Sequence, residues 1–217
     1  AAALMTLGSA ATAFAGEWVA EGTEWRYLEN NGTYAADSWE TDNGVSYYIG
    51  SDGYMLRNTL IEDNENYYYV RSSGAMLVNE WRFLENPEWQ GDEWVGEGSW
   101  YYFGANGRAV RTTGDKVRIE EIGGKRYAFD QYGRMMTGWI SESGEYVTED
   151  NWEEGLYYAD PAGSGDLITN NWLLLSVPDA DNVEDDYPSY YFYFSSNAKK
   201  AMDTERTIGG KDYLFDS

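Results

Sequence analysis

SYYIGSDGYMLRN (46–58) and YYYVRSSGAMLVN (67–79) are the stretches whose reading decides the fold. Each holds a short run of Tyr with an aliphatic end, then a polar turn closing on Gly. Each continues into a link with Met two residues after the Gly and Asn at its end. Gly53 and Gly74 lie 21 residues apart, and WRYLENNG (25–32) places Gly32 another 21 residues upstream. Self-similarity at a fixed period of this size marks a repeat architecture. Working outward, WYYFGANG (100–107), RYAFDQYG (126–133) and LYYADPAG (156–163) repeat the unit, and YFYFSSNA (191–198) is a looser copy. IGGKRYAFD (122–130) returns as IGGKDYLFD (208–216), GRMMTG (133–138) repeats the Met link, and a Trp often follows such links, at Trp39, Trp81, Trp139 and Trp172.

Tyr, Phe, Trp and Val favour a pleated, half-buried surface. The runs are short and are bounded by Asn-Gly, Asp-Gly and Gly-Gly turns, which are hairpin signals. One hairpin cannot bury its face alone, but hairpins stacked along an axis can. No 3.6-residue apolar stripe competes with this reading. The predicted fold class is therefore all-β, a repetitive β-hairpin solenoid of seven or eight degenerate repeats over residues 16–217. No helix is expected beyond the amino-terminal run.

Composition narrows the function. The chain has 20 Tyr and 10 Trp, rings with an apolar body and a polar tip that suit half-wet surfaces. A net charge of −23 argues against nucleic acid and against an anionic membrane surface. With neither Cys nor His, the chain has no disulfide, no Cys or His zinc site and no Ser-His-Asp or Cys-His nucleophile. An all-carboxylate site is compatible with the composition, and no cofactor is implied. AAALMTLGSAATAFA (1–15) reads as the end of a secretory signal, with cleavage expected before Gly16; it is too short to span a membrane. The sequence reads as a piece clipped at both ends, the last repeat stopping at Ser217.

The unit of WRYLENNG with Trp39, YYYVRSSGAML with Trp81, WYYFGANG and GRMMTGW resembles the cell-wall-binding repeats of choline-binding and glucan-binding proteins. The resemblance covers residues 17–217 and implies a non-catalytic hairpin solenoid on a bacterial cell surface. It further implies that aromatic residues of neighbouring hairpins, often with a Met, form cages for a trimethylammonium group. The implied partner is a choline-bearing teichoic acid or a glucan polymer, with no membrane insertion. Departures from the pattern are Ser46, Leu60, Arg126 and Leu156, each standing where the family carries an aromatic residue.

Spacing selects the candidate binding residues. Trp25 and Trp39 stand 14 residues apart, as do Tyr67 and Trp81, while Trp18 precedes Trp25 by 7. EWVGEG (93–98) echoes EWVAEG (17–22) and adds Trp94 with Trp100. Met55 and Met76 are expected to line the same walls, whereas Met135 and mid-strand Tyr48, Tyr68 and Tyr102 read as core. A quaternary ammonium donates no hydrogen bond, so aromatic faces hold it, each contributing about 0.5–2 kcal/mol. Alternatives are a glucan-binding module, a structural surface stalk with decayed sites and, behind these, a two-carboxylate glycosidase. The acidic stretch DADNVEDDY (179–187) fits no EF-hand spacing and reads as a solvated insertion, and NPEWQGDEW (86–94) reads as a second insertion.

Overall fold

The computed structural model describes residues 16–85, 98–177 and 188–216. The signal-like run 1–15, the Trp94 segment and the acidic stretch 179–187 lie outside the described residues. Sixteen strands are described: β1 (Glu17–Glu21), β2 (Glu24–Leu28), β3 (Ser38–Asp42), β4 (Val45–Ile49), β5 (Thr59–Asp63), β6 (Asn66–Val70), β7 (Glu80–Glu85), β8 (Gly98–Phe103), β9 (Arg118–Ile122), β10 (Lys125–Phe129), β11 (Gly138–Ile140), β12 (Tyr157–Ala159), β13 (Asn171–Ser176), β14 (Ser189–Phe194), β15 (Thr204–Ile208) and β16 (Lys211–Phe215). They pair consecutively into eight two-stranded antiparallel hairpins, the first β1–β2 and the eighth β15–β16. The chain is all-β and built of repeated hairpins, as the repeat predicts.

Turn chemistry sets each register. Asn43 and Gly44 both take positive φ, 49° and 80°, the geometry that matches the twist of a two-residue hairpin. Gly123-Gly124 and Gly209-Gly210 do the same in the fifth and eighth hairpins. A second left-handed corner starts many hairpins. Asn58 (φ 48°) and Asn79 (φ 50°), the terminal Asn of the two quoted stretches, donate their N–H to Arg71 O and Gly104 O at the far end of the hairpin they begin. Asp37, Asn170 and Asp203 hold the equivalent corner. Asn and Asp tolerate this region better than other side chains, which explains why the motif closes on them.

A two-stranded hairpin is marginal alone. Neighbours are stitched by one recurrent backbone hydrogen bond, made by the residue two after the positive-φ turn residue, a glycine in four cases and Ala198 in the fifth. Met55 N donates to Trp25 O, Met76 N to Ser46 O, Met135 N to Trp100 O, Leu167 N to Arg126 O and Lys200 N to Leu156 O, each at 2.8 Å. The acceptor always lies within two residues of the start of the second strand of the preceding hairpin, the position called leading below. Because the acceptor is a carbonyl, Ser46, Arg126 and Leu156 serve as well as a Trp. The chain forms two compact units that meet between Val78 and Asn79 in sequence, and these bonds lie within one or the other.

One element departs from expectation. A 3-10 helix, Glu149–Glu154, sits inside the sixth hairpin, between β11 and β12. Thr148 starts it, donating both its N–H and its hydroxyl to Asn151 Oδ1 at 2.8 and 2.6 Å. Such a side-chain cap is what lets one short turn form without a helical stripe.

Candidate functional site: the aromatic joints

The side chains at each joint follow from strand register. In the first hairpin Trp18 stands opposite Tyr27, and its ring meets Tyr27 and then Tyr47 of the next hairpin at 5.0 and 5.1 Å. The arrangement recurs. Trp39 lies between Tyr48 and Tyr68, Trp81 between Tyr102 and Tyr127, Trp139 between Tyr158 and Phe192, and Trp172 between Tyr193 and Tyr213, with centroids 4.8–5.2 Å apart. Most of these pairs meet edge to face or tilted, the geometry aromatic quadrupoles prefer, each adding about 0.5–1.5 kcal/mol beyond buried area. Burial pushes the phenols of Tyr27, Tyr48 and Tyr158 above the usual range, and nearby carboxylates such as Glu40, Asp37 and Asp160 push the same way.

Four positions therefore define a joint: the Trp of the first strand, the residue leading the second strand, the ring of the next hairpin, and the Met of the link. The fourth joint fills all four. Trp81, Trp100, Tyr127 and Met135 line one groove of ≈ 710 Å³, with Phe83 and Tyr146 at its sides. Trp100 is 45% exposed and meets Phe83 edge to face at 5.5 Å. The volume is in the range of small-molecule sites. Ser164 is among its lining residues, and Lys125 Nζ donates to Ser164 Oγ and to Asp166 Oδ1 at 2.9 and 3.0 Å. Although burial opposes it, the Ser164 hydroxyl and the Lys125 ammonium hold the Asp166 carboxyl below its usual range.

The first joint carries the same set in Trp18, Trp25, Tyr47 and Met55. Trp25 is 39% exposed, whereas Met55 is buried with Trp18, Tyr27 and Tyr47. Two glycines make room for the link methionines. A Cβ on Gly74 would lie 2.5 Å from Met55 Sδ, and one on Gly165 would lie 2.3 Å from Met135 Cε. The second joint has Trp39, Tyr68 and Met76 but Ser46 at the leading position, and Trp39 Nε1 donates to Asp63 Oδ2 at 3.2 Å.

The structure places the sequence-selected residues as follows. Trp18 and Met55 pack together in the first joint, and Trp25 joins them through its carbonyl, which accepts from Met55 N. Trp39, spaced 14 residues from Trp25, packs one joint further on with Tyr48, Tyr68 and Met76. Trp81 and Trp100 share the fourth joint. Tyr67 is buried in β6 and belongs to the first unit, whereas Trp81 belongs to the second. Trp94 is outside the described residues. Met135, expected to be core, is half-buried and faces the groove. Sequence reasoning missed Tyr47 and Tyr127; Tyr68, read as core, is indeed buried, and it also packs against Trp39. Their signal was the residue just before each cross-strand partner of a Trp or its aliphatic substitute.

Within each unit, hairpins joined through rings and link residues define a hairpin-repeat module. Residues 36–81 match the family model of the choline-binding repeat, and residues 93–109 that of a putative cell wall binding repeat. The fold is similar to the modular autolysin LytC of Streptococcus pneumoniae, at 25% identity over 94% of this chain and 36% of that one, with a TM-score of 0.57. Choline binding protein F of the same organism is similar at 25% identity over 91% of this chain and 55% of that one, TM-score 0.55. The choline-binding domain of CbpL, at 18% identity, shares the fold, TM-score 0.53. No curated protein matches the chain. Two segments of the chain thus match repeats of the choline-binding, cell-wall-binding kind, and the chain spans about a third to a half of the length of the first two structures.

Proposed function

We propose that the chain is a non-catalytic module of a cell-surface protein that holds choline units of a teichoic acid or similar wall polymer in the first and fourth joints. One observation carries the reading: Trp81, Trp100, Tyr127 and Met135 line a single groove. Trp18, Trp25, Tyr47 and Met55 repeat the set in the first unit. Three aromatic faces give a few kcal/mol, which is about millimolar affinity for one cage. Several cages on one chain engage a repeating polymer with avidity, so weak single sites suffice. A crystal structure of choline binding protein F was obtained in the presence of a peptidoglycan analogue, which supports a wall polymer as the partner class. Residues 1–15 are read as a signal remnant, making the protein secreted, and 16–217 as the module.

Titrating Trp fluorescence with choline and, separately, with dextran tests this. The expected result is a saturable millimolar response to choline, lost in Trp81→Ala and Trp25→Ala together, with no response to dextran. A response to dextran alone would move the reading to the glucan branch, and no response to either would favour a structural stalk. Incubating the purified chain with peptidoglycan or glucan should release no product.

A further inference from the structure

The sixth joint has the ring set of a cage but a different link residue. Trp139 meets Phe192 of the seventh hairpin edge to face at 5.1 Å. The leading position holds Leu156, yet the 3-10 helix brings in Trp152, 6.1 Å from Trp139 and 5.5 Å from Phe192. Gly155 permits this closeness, since a Cβ there would lie 2.7 Å from Trp139 Cε3. Where Met55 and Met135 stand in the other joints, this one has Lys200. Its backbone N–H makes the usual stitch to Leu156 O at 2.8 Å. Its ammonium lies 5.4 Å from the ring centroids of both Trp139 and Trp152, and it donates to Glu153 O at 2.9 Å. Lys200 is only 8% exposed.

We infer that the sixth joint is an ammonium cage occupied by the chain's own Lys200, and is thereby closed to choline. The physical basis is that aromatic faces attract any cation placed over them within about 6 Å, primary or quaternary. A primary ammonium also needs hydrogen-bond acceptors when it leaves water, and Glu153 O supplies one. A tethered lysine competes at an effective concentration in the millimolar range or above. That matches or exceeds the affinity of one cage for free choline. The inference rests on the reading of the first and fourth joints as choline sites, and its test is separable from theirs. Lys200→Met restores the side chain found at those joints while keeping the backbone stitch.

The test follows the indole N–H resonances of the tryptophans during a choline titration. In the wild-type chain, Trp139 and Trp152 are expected to stay still while Trp18, Trp25, Trp81 and Trp100 move. In Lys200→Met, Trp139 and Trp152 are expected to move and saturate at about millimolar choline, and Trp152→Ala on that background should abolish the gain. Movement of Trp139 and Trp152 in the wild-type chain overturns the inference. So does a folded Lys200→Met and a folded Lys200→Ala that both leave these resonances unchanged. If no wild-type indole responds, the reading of the first and fourth joints fails, while the gain in Lys200→Met still decides this one. Should both variants unfold, acetylation of the wild-type chain decides. Lys200 is expected to react at least about tenfold more slowly than exposed Lys211, because an occupied cage desolvates its amine. Equal rates overturn the inference.

Discussion

The first and second joints share a backbone and differ at one side chain. In both, a Trp meets a Tyr across its own hairpin and a Tyr of the next, all at 5.0–5.1 Å. In both, the link Met donates to the leading carbonyl at 2.8 Å. The leading residue is Trp25 in one and Ser46 in the other. Stacking is thus carried by parts of the repeat that do not include the leading side chain. The stitch uses a carbonyl that every residue has, so the leading side chain varies without loosening the stack. A ring at that position, as at Trp25, keeps an exposed face and adds little to the fold.

The shared part should give the largest effects. Trp18→Ala and Trp39→Ala each remove a ring that links two hairpins, and each is expected to cost about 3 kcal/mol. Urea unfolding followed by near-ultraviolet circular dichroism measures it. A cost under about 1 kcal/mol for either would mean that this joint is not held by its Trp. Next come the turn glycines. Gly53 and Gly74 share φ of 82° and 84°, so either change to Ala strains the backbone by about 1 kcal/mol. Gly74→Ala also drives a methyl into Met55, whereas the Gly53 position faces the end of Arg26 at 3.2 Å. Gly74→Ala should therefore cost about 1 kcal/mol more than Gly53→Ala, and equal melting temperatures would remove Met55 from the packing of the first joint.

The fold was legible in the sequence because the repeat writes its constraints locally. Asn43-Gly44 demands a hairpin, and Asn58 and Asn79 mark left-handed corners. Trp18, Trp39 and Trp81 were legible as ring positions, since one Trp per unit recurs. Their partners were not. Register hands Trp81 to Tyr127 across the segments 86–97 and 108–117, so no fixed spacing reports the contact. By type, Tyr47 and Tyr127 look like any strand Tyr. The spacing of 14 paired Trp25 with Trp39, but it counts one full repeat less the offset between leading residue and first-strand Trp, and so links neighbouring joints. Trp152 and Lys200 were illegible for a further reason: the 3-10 insertion replaces the leading ring from outside the repeat pattern.

Smaller effects bear on the single residue that differs. Trp25→Ala is expected to weaken choline binding at the first joint by about 1–2 kcal/mol, some 5- to 30-fold, from the lost ring face. Stability should change by less than about 1 kcal/mol, because Trp25 is 39% exposed and its carbonyl still accepts from Met55. Ser46→Trp makes the converse test. It should give the second joint a choline response reported by Trp39, measured by the same indole titration. A Ser46→Trp chain that folds and gains no response would show that the notch needs more than a fourth side chain.

The smallest expected effect is that of salt. Glu17, Glu21 and Glu24 surround the first joint in sequence and are exposed, and they favour a cation there. Glu21 is already engaged: Arg26 Nη1 lies 3.4 Å from Oε1, and Tyr54 donates its hydroxyl to Oε2 at 2.9 Å. That hydrogen bond and the Glu21 charge push the Tyr54 phenol upward, so it stays a donor well into alkaline conditions. With Glu21 partly neutralised, the remaining carboxylates act through water and are screened once the Debye length falls from about 10 Å at 0.1 M to about 3 Å at 1 M. Exposed charges of this kind contribute about 0.2–1 kcal/mol, so choline affinity at the first joint should fall by no more than about fivefold over that range. The ring contribution does not respond to salt and persists. A fall beyond about tenfold in isothermal titration would assign the cation to the carboxylates. Trp25 would then be an onlooker, and the comparison of the first two joints would have to be redrawn around Glu24 rather than around the ring.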